Sequence, residues 1–355
     1  VPSGDLVARM DLDEVWKMSQ WHLLVSACAT ALEAAGVTDE RFAQAKAKAV
    51  RKVVLMDAER TRLFCRMDEL GIWHAPLKGS VLQGLYPVYG MRQMADNDIL
   101  FDPTRAREVR QIMLDMGFTC EYFGTGAHDV YHKEPVCNFE LHRSLFASSA
   151  DPKVYAYYRD PLRLLVPDGD GTCGMHMRDE DFYAYLVAHE HKHFSGGGTG
   201  LRSLMDTHVW LRERGSALDG EYVRAQLEAL GLADFEKRNR RLATALFLPG
   251  SDVEVTDEDL TTLLYMADSG TYGTVLHNVA NQVARYGRAG YLLRRTLPPM
   301  DQMASLYPML ERVPALLPAC WAWRLASAIV TKPGTVAHQL RAAFARQECL
   351  LPPVG

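Results

Sequence analysis

Apolar residues first recur at helical spacing between Asp11 and Ala35, through Leu12, Val15, Trp16, Met18, Trp21 and Leu24. The pattern predicts one or two helices, with Gly36 as the stop. A longer pattern rich in Ala, Lys, Arg and Glu runs from Asp39 to Leu70, with Phe42, Ala45, Val50, Val53, Val54, Leu63 and Met67 as its apolar positions. This lead-in is expected to pack on the back of a sheet formed by the next segment, as structural support.

The period then shortens. Ile72 to Leu77 is a brief apolar run between Gly71 and Gly79-Ser80 and reads as a buried strand. Val81 to Leu85 looks helical. Asp98 to Phe101 reads as a second strand and Pro103 to Met116 as an amphipathic helix. Phe118 to Phe123 and Asp129 to His132 read as a strand pair around Gly124-Thr125-Gly126, and Val136 to Leu141 alternates as a further strand. The order is strand, helix, strand, helix, then a three-stranded meander ending at Glu140, a mixed α/β head of about 75 residues.

Residues 147–177 are rich in Pro, Asp and Gly and read as a connection, with a short strand or turn near Leu164 to Pro167. From Arg178 the chain is mostly helical. Asp179, Glu180 and Asp181 suit a first turn, Gly196 to Gly198 form a loop, and Leu201 to Arg214 form another helix. Breaks are expected at Gly231, Pro249-Gly250, Pro298-Pro299 and Pro333-Gly334, with Pro352-Pro353 closing the chain. The expected class is α+β: N-terminal helices (1–70), a small mixed-sheet head (71–146), and a connection with an α-helical domain (147–355).

Bulk properties narrow the partners. The 355 residues are 48% hydrophobic and 23% charged, with net charge −5 and pI about 6.2. That is an ordinary soluble composition with no global basic footprint, which disfavours a long nucleic acid as partner. Seven cysteines without a C-x-x-C pair fit reduced thiols. No apolar run reaches about 18 residues, so no membrane partner and a cytoplasmic location are expected.

The candidate chemistry lies in the head. A Gly79-Ser80 turn between a strand and a helix offers backbone N–H groups to an anion, phosphate especially, and Lys78 adds a point charge. Asp96 and Asp98 stand two apart, so a strand there puts both carboxylates on one face. They repel each other unless a divalent cation sits between them, and Mg²⁺ is the usual guest when phosphates complete its shell. Glu140 faces opposite to Phe139 and Leu141 and becomes a third carboxylate if its strand pairs beside Asp98. Three carboxylates, two metal ions and a phosphate cradle form an apparatus for in-line phosphoryl or nucleotidyl transfer.

The order Gly79-Ser80, Asp96-x-Asp98, then a later acidic residue on a strand resembles the DNA polymerase β-like nucleotidyltransferase superfamily. More narrowly, several pieces resemble the uncharacterised bacterial nucleotidyltransferase family often called NTP_transf_5. They are Leu77-Lys-Gly79, Tyr86-Pro87, Arg92-x-x-x-Asp96-x-Asp98-Ile-Leu100 and Glu140-Leu-His142, followed by His189-x-x-Lys-His193 and Arg202-x-x-x-Asp206. The resemblance implies a nucleotidyltransferase head with Asp96, Asp98 and Glu140 as catalytic metal ligands for two Mg²⁺. It also implies an NTP donor, ATP first, held by Lys78, Gly79, Ser80 and Arg92. The acceptor is left open between a small molecule, a peptide or protein hydroxyl and an RNA end. Two departures stand out: Asn97 occupies an inner position usually apolar, and the gap from Ser80 to Asp96 is longer than usual.

Other residues are candidate cleft groups. His142 shares a face with Glu140. Arg202 and Asp206 stand one helical turn apart and can equally form an ion pair. His189-Glu190-x-x-His193 matches the zinc-hydrolase motif H-E-x-x-H, but His191 and Lys192 inside it are polar or charged. The preferred reading puts His189, Lys192 and His193 in the cleft, with a zinc-dependent hydrolase as the alternative. A module of the toxin–antitoxin type that binds NTP without turnover is the third.

Overall fold

The computed structural model describes residues 4–124, 126–169, 171–331 and 333–344. The first helices are α1 (Gly4–Arg9), α2 (Leu12–Trp21), α3 (Val25–Ala34) and α4 (Glu40–Glu69). The Asp11–Ala35 pattern therefore resolves into two helices, split where Leu23 takes φ 51°. Asp39 caps the 30-residue α4, its Oδ1 accepting from Arg41 N at 2.9 Å.

The head comes next, as β1 (His74–Pro76), α5 (Gly79–Leu82), β2 (Asn97–Phe101), α6 (Ala106–Asp115), β3 (Thr119–Tyr122), β4 (His128–Lys133) and β5 (Cys137–His142). They form one sheet in the order β1-β2-β5-β4-β3, with β2 and β5 parallel and the other neighbours antiparallel. β1 is shorter than the expected Ile72–Leu77 because Ile72 N–H still closes the end of α4 on Met67 O.

The period of two divides the sheet's faces. Ile99, Phe101, Phe139 and Leu141 enter a core with Val53, Met56 and Leu63 of α4 and Ile112 and Met113 of α6. So α4 does pack on the back of the sheet. On the other face, Leu100 with Ala75 and Leu77 joins a second core, built with Phe182, Leu186, Leu204 and Trp210 from the later helices.

The connection holds more structure than expected: α7 (Pro152–Tyr158) and a hairpin of β6 (Leu165–Pro167) with β7 (Met175–Met177). Then come α8 (Asp179–Gly196), α9 (Leu201–Arg214), α10 (Gly220–Leu230), α11 (Ala233–Phe247) and α12 (Asp257–Ser269). The chain continues as α13 (Val275–Thr296), α14 (Met300–Leu306), α15 (Leu317–Thr331) and α16 (Pro333–Phe344). The class is α+β. Gly231 ends α10 with φ 72°, Pro249-Gly250 and Pro298-Pro299 fall between helices, and Pro333-Gly334 open α16. Thr125 and Pro352-Pro353 lie outside the described residues. α13 carries an unexpected kink at Gly287, φ 70°. Among the described residues no helix is long and apolar enough to cross a membrane, and the six described cysteines are free.

Candidate active site

The parallel ladder sets Asp98 directly beside Glu140 and Leu100 beside His142. Alternation turns Asn97 the other way, where its amide donates to Met56 O at 3.0 Å and accepts from Arg60 Nη1 at 2.9 Å. A polar residue is stable at that buried position because α4 satisfies both ends of the amide.

Lys78 stands in the turn after β1 with φ 45° and ψ −115°, unusual for a residue with a side chain. Its Nζ donates to Asp98 Oδ1 at 2.7 Å, with Asp98 buried and Lys78 nearly so. The same oxygen accepts from His142 Nε2 at 2.8 Å. Burial opposes the charged form of Asp98, yet Lys78 and then His142 hold it well below the usual carboxylate range. An ionised Asp98 only accepts, so Nε2 of His142 carries the proton, and burial pushes its titration down to about 4. Its Nδ1 is buried without a partner.

Asp96 and Glu140 behave oppositely. Burial first, then the charges of Asp98 and Glu140, push Asp96 up to about 6. Burial and Asp98 also raise Glu140. Adjacent carboxylates that raise one another mark excess negative charge, and an all-oxygen donor set suits a hard divalent cation. Their oxygens are of the type Mg²⁺ takes, but among the described residues Asp96, Asp98 and Glu140 do not form a group whose ligand atoms all lie within 4.8 Å of one another. The metal-capable atoms that do converge among the described residues are those of His128, Glu140 and His142, all within 4.8 Å of one another. His128 was missed in the sequence; its register opposite His142 was the available signal.

The turn offers a narrower cradle than its sequence suggests. Ser80 N–H bonds Leu77 O at 3.1 Å, and Ser80 Oγ lies 3.2 Å from Asn97 Oδ1. The Gly79 N–H meets no acceptor among the described residues. A Cβ on Gly79 would come within 2.6 Å of Arg92 Nη1. Arg92 itself is buried in a bidentate pair, Nε and Nη2 donating to the Asp206 carboxylate at 2.8 and 2.9 Å. Tyr86 OH adds a bond to Asp206 Oδ1 at 2.7 Å. Asp206 thus pairs with the head, not with Arg202 one turn away, and Arg202 Nη1 donates to Gln93 O at 3.1 Å. The geometry makes Arg92, Arg202 and Asp206 a buried clamp between head and α9.

On α8, His189 and His193 bring their Nε2 atoms to 3.1 Å. Burial, then neighbouring positive charge, keeps both neutral, His193 down to about 4. Lys192 is pushed down by burial, then by Lys78, while Glu140 and Asp98 pull it up, so its ammonium lies in the field of the carboxylates. Glu190 points away, its carboxylate on Asn239 Nδ2 and Thr207 Oγ1 inside the helical core. No third metal-capable group among the described residues joins His189 and His193. The zinc-hydrolase reading lacks both its base and its third ligand.

Comparison with known proteins adds one match. A family model described as uncharacterised nucleotidyltransferase covers residues 8–248, more than half of the chain. Neither curated proteins nor solved structures give a match.

Proposed function

The chain belongs to the uncharacterised nucleotidyltransferase family, and from that premise we propose that it transfers a nucleoside monophosphate from an NTP, ATP first, to an acceptor hydroxyl. The observation that carries this reading is the parallel pairing that sets Asp98 beside Glu140 and next to the Lys78 turn. In the reaction, the acceptor oxygen bonds the α-phosphorus as the bond to the bridging oxygen breaks, and pyrophosphate leaves with that electron pair.

Asp96, Asp98 and Glu140 would hold Mg²⁺. When bound, the ions supply charge neutralisation for the phosphates and for the developing negative charge. Gly79 offers its N–H to a phosphate oxygen, and Lys78 and Lys192 bring positive charge to the same side. Asp98, held low by two donors, is a poor base. Glu140 is the better proton acceptor, with His128 Nε2 and His142 Nε2 each 3.6 Å from its Oε2. The neutral His189 and His193 line the cleft without adding charge.

The test uses ATP labelled at the α- or the γ-phosphate, incubated with the full chain, Mg²⁺ and a small-molecule extract. The reading expects α label in a new product and γ label only in pyrophosphate. Transfer of γ label to the product would replace it with a phosphotransferase.

A further inference from the structure

α4 is longer than the sheet it backs. Its Val53, Met56 and Leu63 pack with Ile99 and Phe139, while Phe42 near its start packs with Val25, Ala29 and Leu32 of α3. A cavity of about 760 Å³ is lined by α4 residues between these two contacts together with Asp96 and Glu140. That size matches a nucleotide or similar metabolite.

The α4 wall has its own pattern. Ala45, Lys48, Ala49 and Lys52 have the i, i+3, i+4, i+7 spacing of a single helix face and line the cavity with Arg51. The two alanines leave room between the cations. Elsewhere on α4, cations pair with carboxylates: Lys46 with Glu33, Arg60 with Asp57, Arg62 with Glu59. Among the described residues Lys48, Arg51 and Lys52 have no carboxylate partner. Lys52 Nζ donates to Ala95 O at 2.8 Å, beside Asp96. Trp16 and the 75%-exposed Tyr272 supply aromatic surface at the rim. Trp16 is held edge-on by Phe42 at 5.0 Å. Tyr272 sits on a loop tied to Trp21 O through Thr271 N–H.

Lys78, Asp98, His189 and Lys192 do not line this cavity. Lys78 and Lys192 act on Asp98 and Glu140 electrostatically without lining it. In-line displacement requires the nucleophile and the leaving pyrophosphate on opposite sides of the α-phosphorus. If the pyrophosphate leaves beside Lys78 and Lys192, this separate cavity is left for the acceptor.

We propose that this cavity is the acceptor subsite and that it selects a small phosphate-bearing acceptor, its phosphate on Lys48 and Arg51 and its ring against Trp16 or Tyr272. The acceptor assignment rests on the transferase reading; the anion selectivity rests on the cavity alone. Lys52 orients the Ala95–Asp96 segment. The N-terminal helices thereby become part of the site as well as a backing for the sheet.

The experiment titrates AMP, CMP and the matching nucleosides onto the full chain without metal, using thermal shift and calorimetry at low and high salt. The proteins are wild type, Lys48→Glu/Arg51→Glu and Asp96→Asn/Asp98→Asn. A monophosphate is expected to bind at least tenfold tighter than its nucleoside, with affinity falling as salt rises. Charge reversal should abolish that binding but keep a Mg²⁺–ATP shift, and the aspartate variant should do the reverse. Lys48→Gln/Arg51→Gln, a milder change, should weaken it partway. Equal affinity for monophosphate and nucleoside, or monophosphate binding that survives charge reversal, would overturn the subsite. Monophosphate binding without any Mg²⁺–ATP shift would uphold the anion cavity and remove the transferase reading.

Discussion

Burial and close charges shift several side chains of the head away from their ordinary titration. Asp96 is pushed up to about 6 by burial and its carboxylate neighbours. Its folded pKa lies above its unfolded value of 3.8, so the folded state holds the extra proton between about 4 and 6. Fold stability from this group therefore falls as pH rises through that window, by at most about 3 kcal/mol. Asp96→Asn should raise the melting temperature of metal-free protein above pH 6, and the gain should shrink as pH drops towards 4. His142 works in the opposite sense: pushed down to about 4, it lets the unfolded state take the proton first, so stability is lost as pH falls from 6.5 towards 4. With the Asp96 contribution removed, Asp96→Asn should show a steeper acid loss than wild type. A thermal-melt series from pH 4 to 8 checks both. Lys78→Ala leaves Asp98 buried with only a neutral imidazole donor, and should destabilise by about 3 kcal/mol. Adding Asp98→Asn should recover part of that loss in a double-mutant cycle.

At the scale of elements, the head was legible because its signals are local. Alternation assigned the strands and their faces, and the Asp98–Glu140 pairing needed only that β5 lie beside β2. Asn97 was legible as a departure, but its reason is an amide bonded to Met56 and Arg60, which no local pattern announces. Arg92 illustrates the limit. In sequence, a basic residue four before Asp96 reads as a phosphate ligand; in space it is buried against Asp206, 114 residues away. Burial and a distant partner decide its role, and neither has a sequence period. The clamp joins the Gly79 turn to α9, so Arg92→Lys, which keeps charge but not the bidentate fork, should lower stability by about 2 kcal/mol. Denaturant melts of the variant measure this directly. The α4 stripe was equally visible as residues, yet that it lines one cavity with Asp96 and Glu140 depends on the tertiary packing. The β6–β7 hairpin was legible only as a short strand or turn near Leu164, because three-residue strands have almost no periodicity to reveal the partner strand.

Across the whole molecule, the sheet joins two cores. One face holds α4 and α6; the other shares its apolar residues with α8 to α12. Leu77 and Leu100 are fully buried in that second core, so the head cannot lose the helices without exposing them. The described fold should melt in a single calorimetric transition, and a fragment ending at residue 146 should fail to give a cooperative melt. The candidate site has three sources: Asp98, Glu140, His128 and His142 from the strands with Asp96 just before β2, Lys192, His189 and His193 from α8, and, in the proposed subsite, cations from α4. The family match ends at residue 248, so α12 to α16 lie beyond it, while Tyr272 from that region reaches the cavity rim. The proposed transferase requires that the three carboxylates and the Lys78 turn together bind an NTP with Mg²⁺. The most direct measurement is a thermal-shift titration of ATP, GTP, CTP and UTP, with and without Mg²⁺, on wild type and Asp96→Asn/Asp98→Asn. At about 100 times Kd a bound NTP should add roughly 2.7 kcal/mol. The account predicts a Mg²⁺-dependent shift with one NTP in wild type and none in the double variant; a shift that ignores Mg²⁺, or persists in the variant, would contradict it.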